Sequence, residues 1–369
     1  MTDESLTLLA CGDVGPIHER AEGYGAHVRS TLQGADLRFA QVERVYSARG
    51  ALQVHSGGEH SRVPPHMASV FEDCGFNVVS VASNHAMDWG EEALLDSIAL
   101  FRGKGIAAVG AGRDLEEARQ PAFIERNGIR VAFLAYCSVL REGYAAGPKK
   151  AGVAPLRAHT YYEAIEYQAG VPPRVITVPY EEDLENMVAD IAAAKKSANA
   201  VILSLHWGVH FIPRMIAGYQ ETAARAAFAA GADLILGHHA HVPKAIGVYG
   251  AKACFYSLSN FIMSSTAKTS RQAEAFEKRY GVRLDPDYPH LPYGEDAKRS
   301  LMAKAIITAE GVKKTSFLPV LIDRHLQPEP LHRQDPRFAE AVQYMKWASD
   351  GFPHSFTVEE DEVIVSGGA

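Results

Sequence analysis

The chain has 369 residues, with 37 Lys and Arg against 44 Asp and Glu for a formal net charge of −7; 47% of its residues are apolar and 22% charged. These ordinary globular proportions exclude a disordered, collagenous or fibrous chain. The mildly acidic balance, without a long basic run, also excludes a protein that grips nucleic-acid phosphates or coats an anionic membrane, leaving small molecules or peptides as expected partners.

In chain order, the N-terminal acids precede an apolar stretch too short for a signal peptide or a membrane anchor, so a cytoplasmic protein with no membrane association is expected. Short apolar runs bounded mostly by Gly, Asn or Asp predict buried strands at 6–11, 77–82, 106–109, 131–136, 200–205 and 233–236. Helices are predicted at 90–102, 181–196 and 217–230; in the second, Leu184, Met187, Val188 and Ile191 recur at helical spacing, with acids early and lysines late. Hairpins are expected at 122–134, turning at Arg126-Asn127-Gly128, and at 245–257, turning at Gly250. Residues 264–299 are charged and Pro-bearing without periodicity and read as a long loop or lid. A last hairpin at 301–322 turns around Glu310-Gly311, and a helix follows at 336–349. Crossovers together with hairpins indicate an α/β sandwich with mixed sheets, read as a single domain over 1–369. Cys11, Cys74, Cys137 and Cys254 lie far apart in apolar runs and are expected to be buried, reduced thiols.

Polar, metal-capable residues gather just past apolar strands, where α/β proteins hold ligands. Asp13, in Gly12-Asp13-Val14-Gly15, serves equally well as a turn former, and Glu43 alone reads as a solvated acid. Asn84-His85-Ala86-Met87-Asp88 carries more, because His85 and Asp88 are spaced for the carboxylate to orient the imidazole, although Asp88 can also cap the next helix. Most informative are His206-Trp207-Gly208-Val209-His210 and Gly237-His238-His239-Ala240-His241, which put five of the sixteen histidines in two short segments, each after a strand. In a parallel layer these converge with Asp13 and Asn84, a mixed donor set for a divalent cation. Either His238 or His239 can face inward.

The order Gly-Asp, Glu, Asn-His-x-x-Asp-x-Gly, His-Trp-Gly, Gly-His-His-x-His and Tyr256-Ser257-Leu258-Ser259-Asn260-Phe261 resembles the CapA/PgsA capsule-synthesis family of poly-γ-glutamate proteins across roughly 6–262. That family resembles the calcineurin-like metallophosphoesterases, which implies a four-layer αββα sandwich. Carried over, the resemblance puts Glu43, Asn84, His206 and His239 at one metal position, with Asp13 and His241 contributing to a second. Gly15 stands where the first motif would carry a histidine, Gln41 replaces an Asn and Ser259 a Gly. The first change implies one metal, and so weakens a two-metal hydrolysis.

With one metal, His85 with Asp88, and Asp13 with His241 or the loop residue His290, become candidate acid/base pairs. The chain also resembles the lasso-peptide epimerase branch of the family, which inverts the C-terminal residue of a ribosomal precursor. This implies calcium as the ion, while magnesium, manganese or zinc also suit the donors. The expected function is metal-dependent epimerisation of a peptide by Asp13, His85, Asp88, His241 and His290. Trp89, Trp207 and Tyr293 are candidate pocket walls or core residues. The alternatives are metal-dependent hydrolysis of a phosphoester or γ-glutamyl amide, and a non-catalytic polymer-binding module.

Overall fold

The computed structural model describes residues 4–19, 23–54, 56, 61–167 and 170–368. Two sheets stack face to face. In the first, the strand order is Ser355–Glu359, Glu362–Ser366, Gly311–Ile322, Arg299–Thr308, Leu6–Gly15, Leu37–Val42, Val78–Ser80 and Ala107–Val109. Leu6–Gly15 runs parallel to Leu37–Val42 and antiparallel to Arg299–Thr308, and its end also pairs with the parallel strand Asn260–Met263. The second sheet runs Ile246–Tyr249, Lys252–Phe255, Leu234–His238, Ala200–His206, Ile129–Cys137 and Ala122–Arg126.

Between the sheets lies an apolar layer in which Leu8, Ala10 and Phe39 from one meet Phe133, Ile202 and Leu236 from the other. Phe39 and Phe133 stack at 6.0 Å. Burying each such side chain contributes about 1.5–3 kcal/mol. The outer face of the first sheet is covered by helix Gly90–Gly103 through Leu94, Ile98 and Phe101. Helices Glu181–Lys195 and Gly218–Ala230 cover the second through Met187, Ile191, Ala223 and Ala227. These are the four αββα layers expected, with mixed sheets.

The Asn127-Gly128 turn adopts the two positive φ values, 52° and 70°, that a tight hairpin requires. The four cysteines are buried and free. Three readings need correction. Segment 264–299 is not all loop, because helix Ser270–Tyr280 lies within it. Only Phe276 of that helix is buried, so no apolar periodicity marks it, although the Thr269/Gln272 capping box and the left-handed Gly281 do. The hairpin of Ala158–Glu163 with Arg174–Pro179 went unread because it is mostly exposed and lacks alternation. Likewise, the first strand continues past 11 to Gly15, which carries Asp13 into the sheet rather than onto a turn.

No helix among the described residues is long and apolar enough to cross a membrane.

Candidate metal centre and reaction cleft

Parallel strands bring their C-terminal ends to one edge, and the polar clusters sit there. Asp13 ends its run with no exposure, its N–H donating to the Ser259 carbonyl at 2.9 Å. Gly12 permits this approach, since a Cβ there would lie 2.0 Å from the Ser259 oxygen. Glu43 follows strand Leu37–Val42, and its N–H donates to the Val14 carbonyl at 2.9 Å. Asn84, His85 and Asp88 form the turn leading into helix Gly90–Gly103, while His206 and His238 are register partners on adjacent parallel strands.

The ligating atoms of Asp13, Glu43 and His206 lie within 4.8 Å of one another, and all three residues are buried. The Asn84 side-chain oxygen is 2.7 Å from His206 Nε2 and 3.2 Å from His239 Nδ1. His241 Nδ1 donates to Asn260 Oδ1 at 2.8 Å, because the Asn260 amide donates to the His241 and Ala297 carbonyls. His241 also lies 3.6 Å from Asp13, and its Nε2 is 3.8 Å from Glu43 Oε1. On the other side His85 Nε2 is 3.9 Å from the same Glu43 oxygen, while its Nδ1 meets Asp88 at 2.6 Å. Tyr144 donates to the second Asp88 oxygen at 2.8 Å. The two candidate inward histidines divide the work. His239 joins Asn84 and His206, whereas His238 lies 3.2 Å from Asp13 and packs on Phe39.

The cluster suits a cation for a physical reason. Burial, and then Asp13 beside it, push the Glu43 carboxyl well above its usual range against the pull of Arg44. Asp13 Oδ1, Glu43 Oε1 and His206 Nδ1 are buried without a hydrogen-bond partner. Two neighbouring buried carboxylates are stable as anions only if positive charge reaches them. Burial also holds His206 and His239 well below the normal imidazole range, so both present neutral, ligand-competent nitrogens. The chain is strained here as well. Phe211, His239, His241 and Ser259 have φ between 57° and 88°, a region costly for residues other than glycine.

These groups open into a cleft of about 470 Å³. His85 and His241 reach it, backed by Asp88 and Asp13, whereas His290, expected to pair with Asp13, is not among the residues that line it. It is an exposed residue whose Nδ1 is 3.2 Å from the Ser265 carbonyl and whose ring contacts His18. Its loop is tethered to Ser265, whose main-chain N–H donates to the His290 carbonyl at 2.8 Å. Trp207 belongs to the core, stacked on Tyr256, and Trp89 carries Arg62 on its face, but Tyr293 does form a cleft wall by stacking on His241 at 4.3 Å. Sequence reasoning missed Arg44, Arg141 and Lys268, which also line the cleft. Arg44 follows Glu43 directly and was the one with a local signal.

A model of the bacterial capsule synthesis protein PGA_cap family matches residues 7–265. The chain belongs to this family. Among its capsule-synthesis relatives, the PGA biosynthesis protein CapA of Bacillus subtilis is 32% identical over 265 residues, covering 70% of this chain and 63% of that protein. The capsule biosynthesis protein CapA of Bacillus anthracis is 26% identical over 274 residues, covering 70% and 60%. This capsule-synthesis family member thus spans about three fifths of the length of those relatives. The solved calcineurin-like phosphoesterase YfkN of Bacillus subtilis superimposes with a TM-score of 0.39 at 12% identity over 88% of each chain, a likeness too slight to argue from.

Proposed function

We propose that this chain is a metal-dependent enzyme that epimerises a Cα centre in a peptide, the C-terminal residue of a ribosomal precursor being its substrate. One observation carries the reading: two imidazoles, His85 and His241, flank Glu43 Oε1 at 3.9 and 3.8 Å, each oriented from behind by a fixed partner. Asp13, Glu43 and His206, with Asn84 and His239 beside them, would hold one divalent ion. That ion would stabilise negative charge developing on the substrate carbonyl.

The rest of the work falls to side chains. Asp88 accepts from Nδ1 of His85, which orients the neutral ring so that the unprotonated Nε2 takes the Cα proton. Burial lowers the pKa of His85 against the Asp88 hydrogen bond, so the ring is neutral, as a base must be. Burial pushes Asp88 up, but the His85 and Tyr144 hydrogen bonds outweigh it and keep Asp88 ionised. On the other side His241 returns a proton from Nε2. Burial outweighs Asp13 and lowers its pKa to about 4, so the ring is neutral until Nε2 takes a proton from solvent, which the imidazolium so formed then gives up readily to Cα. Loss of one proton and gain of another leaves the substrate changed only in configuration.

Hydrolysis of a phosphoester or γ-glutamyl amide is the second reading, supported by the metal-capable donor set and by relatives named for capsule synthesis. Against it stands Gly15, which offers no side chain to a second ion. The experiment is incubation with manganese or calcium and a candidate precursor peptide in deuterated water. Deuterium at the terminal Cα, with the D-residue on chiral analysis, is expected. Release of phosphate or free amine without deuterium would sink the epimerase.

A further inference from the structure

The cleft mouth carries charge that the proton chemistry does not use. Arg44, Arg141 and Lys268 line it, from positions after strand Leu37–Val42, after strand Ile129–Cys137 and within segment 264–299. Among the described residues no Asp or Glu lines it, the carboxylates Asp13, Glu43 and Asp88 standing behind the lining histidines. Arg44 is 3% exposed and held in place, donating from Nε to the Gly15 carbonyl at 3.3 Å and from a terminal nitrogen to the Ser264 carbonyl at 2.9 Å. A Cβ on Gly15 would lie 2.7 Å from the Arg44 Cγ, so the missing side chain at 15 is the space that the arginine stem fills. Arg141 and Lys268 are half-buried, and none of the three cations is within ion-pair distance of a carboxylate among the described residues, although Arg44 draws the Glu43 carboxyl down and Arg141 that of Asp88. A buried guanidinium hydrogen-bonded chiefly to carbonyls keeps positive charge that an arriving anion can meet.

We propose that Arg44, Arg141 and Lys268 form an oxyanion-binding mouth that grips the free carboxylate of a peptide chain end, so that the enzyme reads a terminus and not an internal residue. This rests on the reading above and names what that reading leaves open, the group by which the substrate is held. Arg44 provides a fixed positive charge beside Gly15, where no second-ion donor stands. Arg141 and Lys268, which also line the cleft, set specificity by pairing with the carboxylate.

The test uses the full chain with manganese, a peptide acid, the same peptide as its C-terminal amide, and inorganic phosphate, with affinity read by calorimetry. The acid is expected to bind about tenfold more tightly than the amide. Arg141→Gln should bring the two within about twofold, and Lys268→Gln should narrow the gap by a smaller factor. Equal binding of acid and amide by the unaltered protein would overturn the proposal, as would full discrimination surviving in both variants. Phosphate binding more tightly than the peptide acid would also overturn it, by assigning the mouth to a phosphoester. The two readings fail separately. Acid preference without deuterium uptake removes epimerisation and keeps the mouth, whereas equal deuterium uptake by acid and amide removes the mouth and keeps epimerisation.

Discussion

Two buried clusters of charge, one beside a helix that covers the second sheet and one at the strand ends of the first, are built in opposite ways. Asp183 is 2% exposed, and both its oxygens are engaged by Arg157, whose main-chain N–H and guanidinium donate at 2.7–2.8 Å. At the strand ends Asp13 and Glu43 are as deeply buried, yet each keeps an oxygen without a partner. The first arrangement is complete within the chain. The second is stable only with a cation or a proton added, and that distinguishes a ligand site from a structural ion pair.

Glu43→Gln should break the contrast most sharply. Removing one of two crowded carboxylates is expected to lower divalent-ion affinity by about 100-fold or more, while leaving the ion-free protein as stable or slightly more so. Calorimetric titration and melting in chelator measure both. Unchanged ion affinity would mean that the strand-end cluster is structural after all.

Acid should act next most strongly, and on that cluster. His241 titrates at about 4 in the folded chain against 6.5 in the open one, and burial lowers His206, His210 and His239 as well. Between those values the unfolded state binds more protons. The stability these imidazoles contribute is therefore at its full value above about pH 6.5 and is lost as pH falls towards 4, by roughly 3 kcal/mol for His241 alone, partly offset by Glu43, whose raised carboxyl takes up its proton first in the folded chain. Urea denaturation across this range in chelator would show it, and a flat profile would contradict the burial of neutral imidazoles.

Asp183→Ala supplies the converse. Leaving Arg157 unpaired should cost about 2–3 kcal/mol, a figure moderated by the partial exposure of that arginine, without changing ion affinity. A fall in ion affinity would join the two clusters that the comparison separates.

Lys244 falls between the two patterns. It is 1% exposed, its ammonium donates to the Met215 carbonyl at 2.6 Å, and burial lowers its pKa from 10.5 to about 7. Wild-type stability should rise as pH increases from 7 to 10.5, where only the unfolded chain holds this proton. Lys244→Met should accordingly stabilise the protein by about 1–2 kcal/mol at neutral pH, with the gain shrinking at alkaline pH. Thermal melts at pH 7 and 10 test the sign.

The legible parts of the fold were those whose burial is one-sided or complete. Met187 and Ile191 repeat at helical spacing because that helix buries one stripe, and the strands before His206 and His238 read as apolar runs because both faces are covered. Helix Ser270–Tyr280 and the 158–179 hairpin bury too little for a pattern to form. In the site, His85 with Asp88 was readable because they stand three positions apart in one turn. Loop composition says nothing of where the His290 ring is tethered, and Arg141 and Lys268 were missed because isolated cations in loops carry no local signature.

The order of short motifs, each after an apolar run, determined by itself that this is a layered α/β protein of the capsule synthesis family with its polar residues at strand ends. Only the tertiary structure decided that His239 and not His238 joins Asn84, that Arg44 fills the space beside Gly15, and that three distant cations share one cleft. The reason is physical. Burial periodicity is written along the chain, whereas the direction of a side chain past a strand end depends on neighbours contributed from hundreds of residues away.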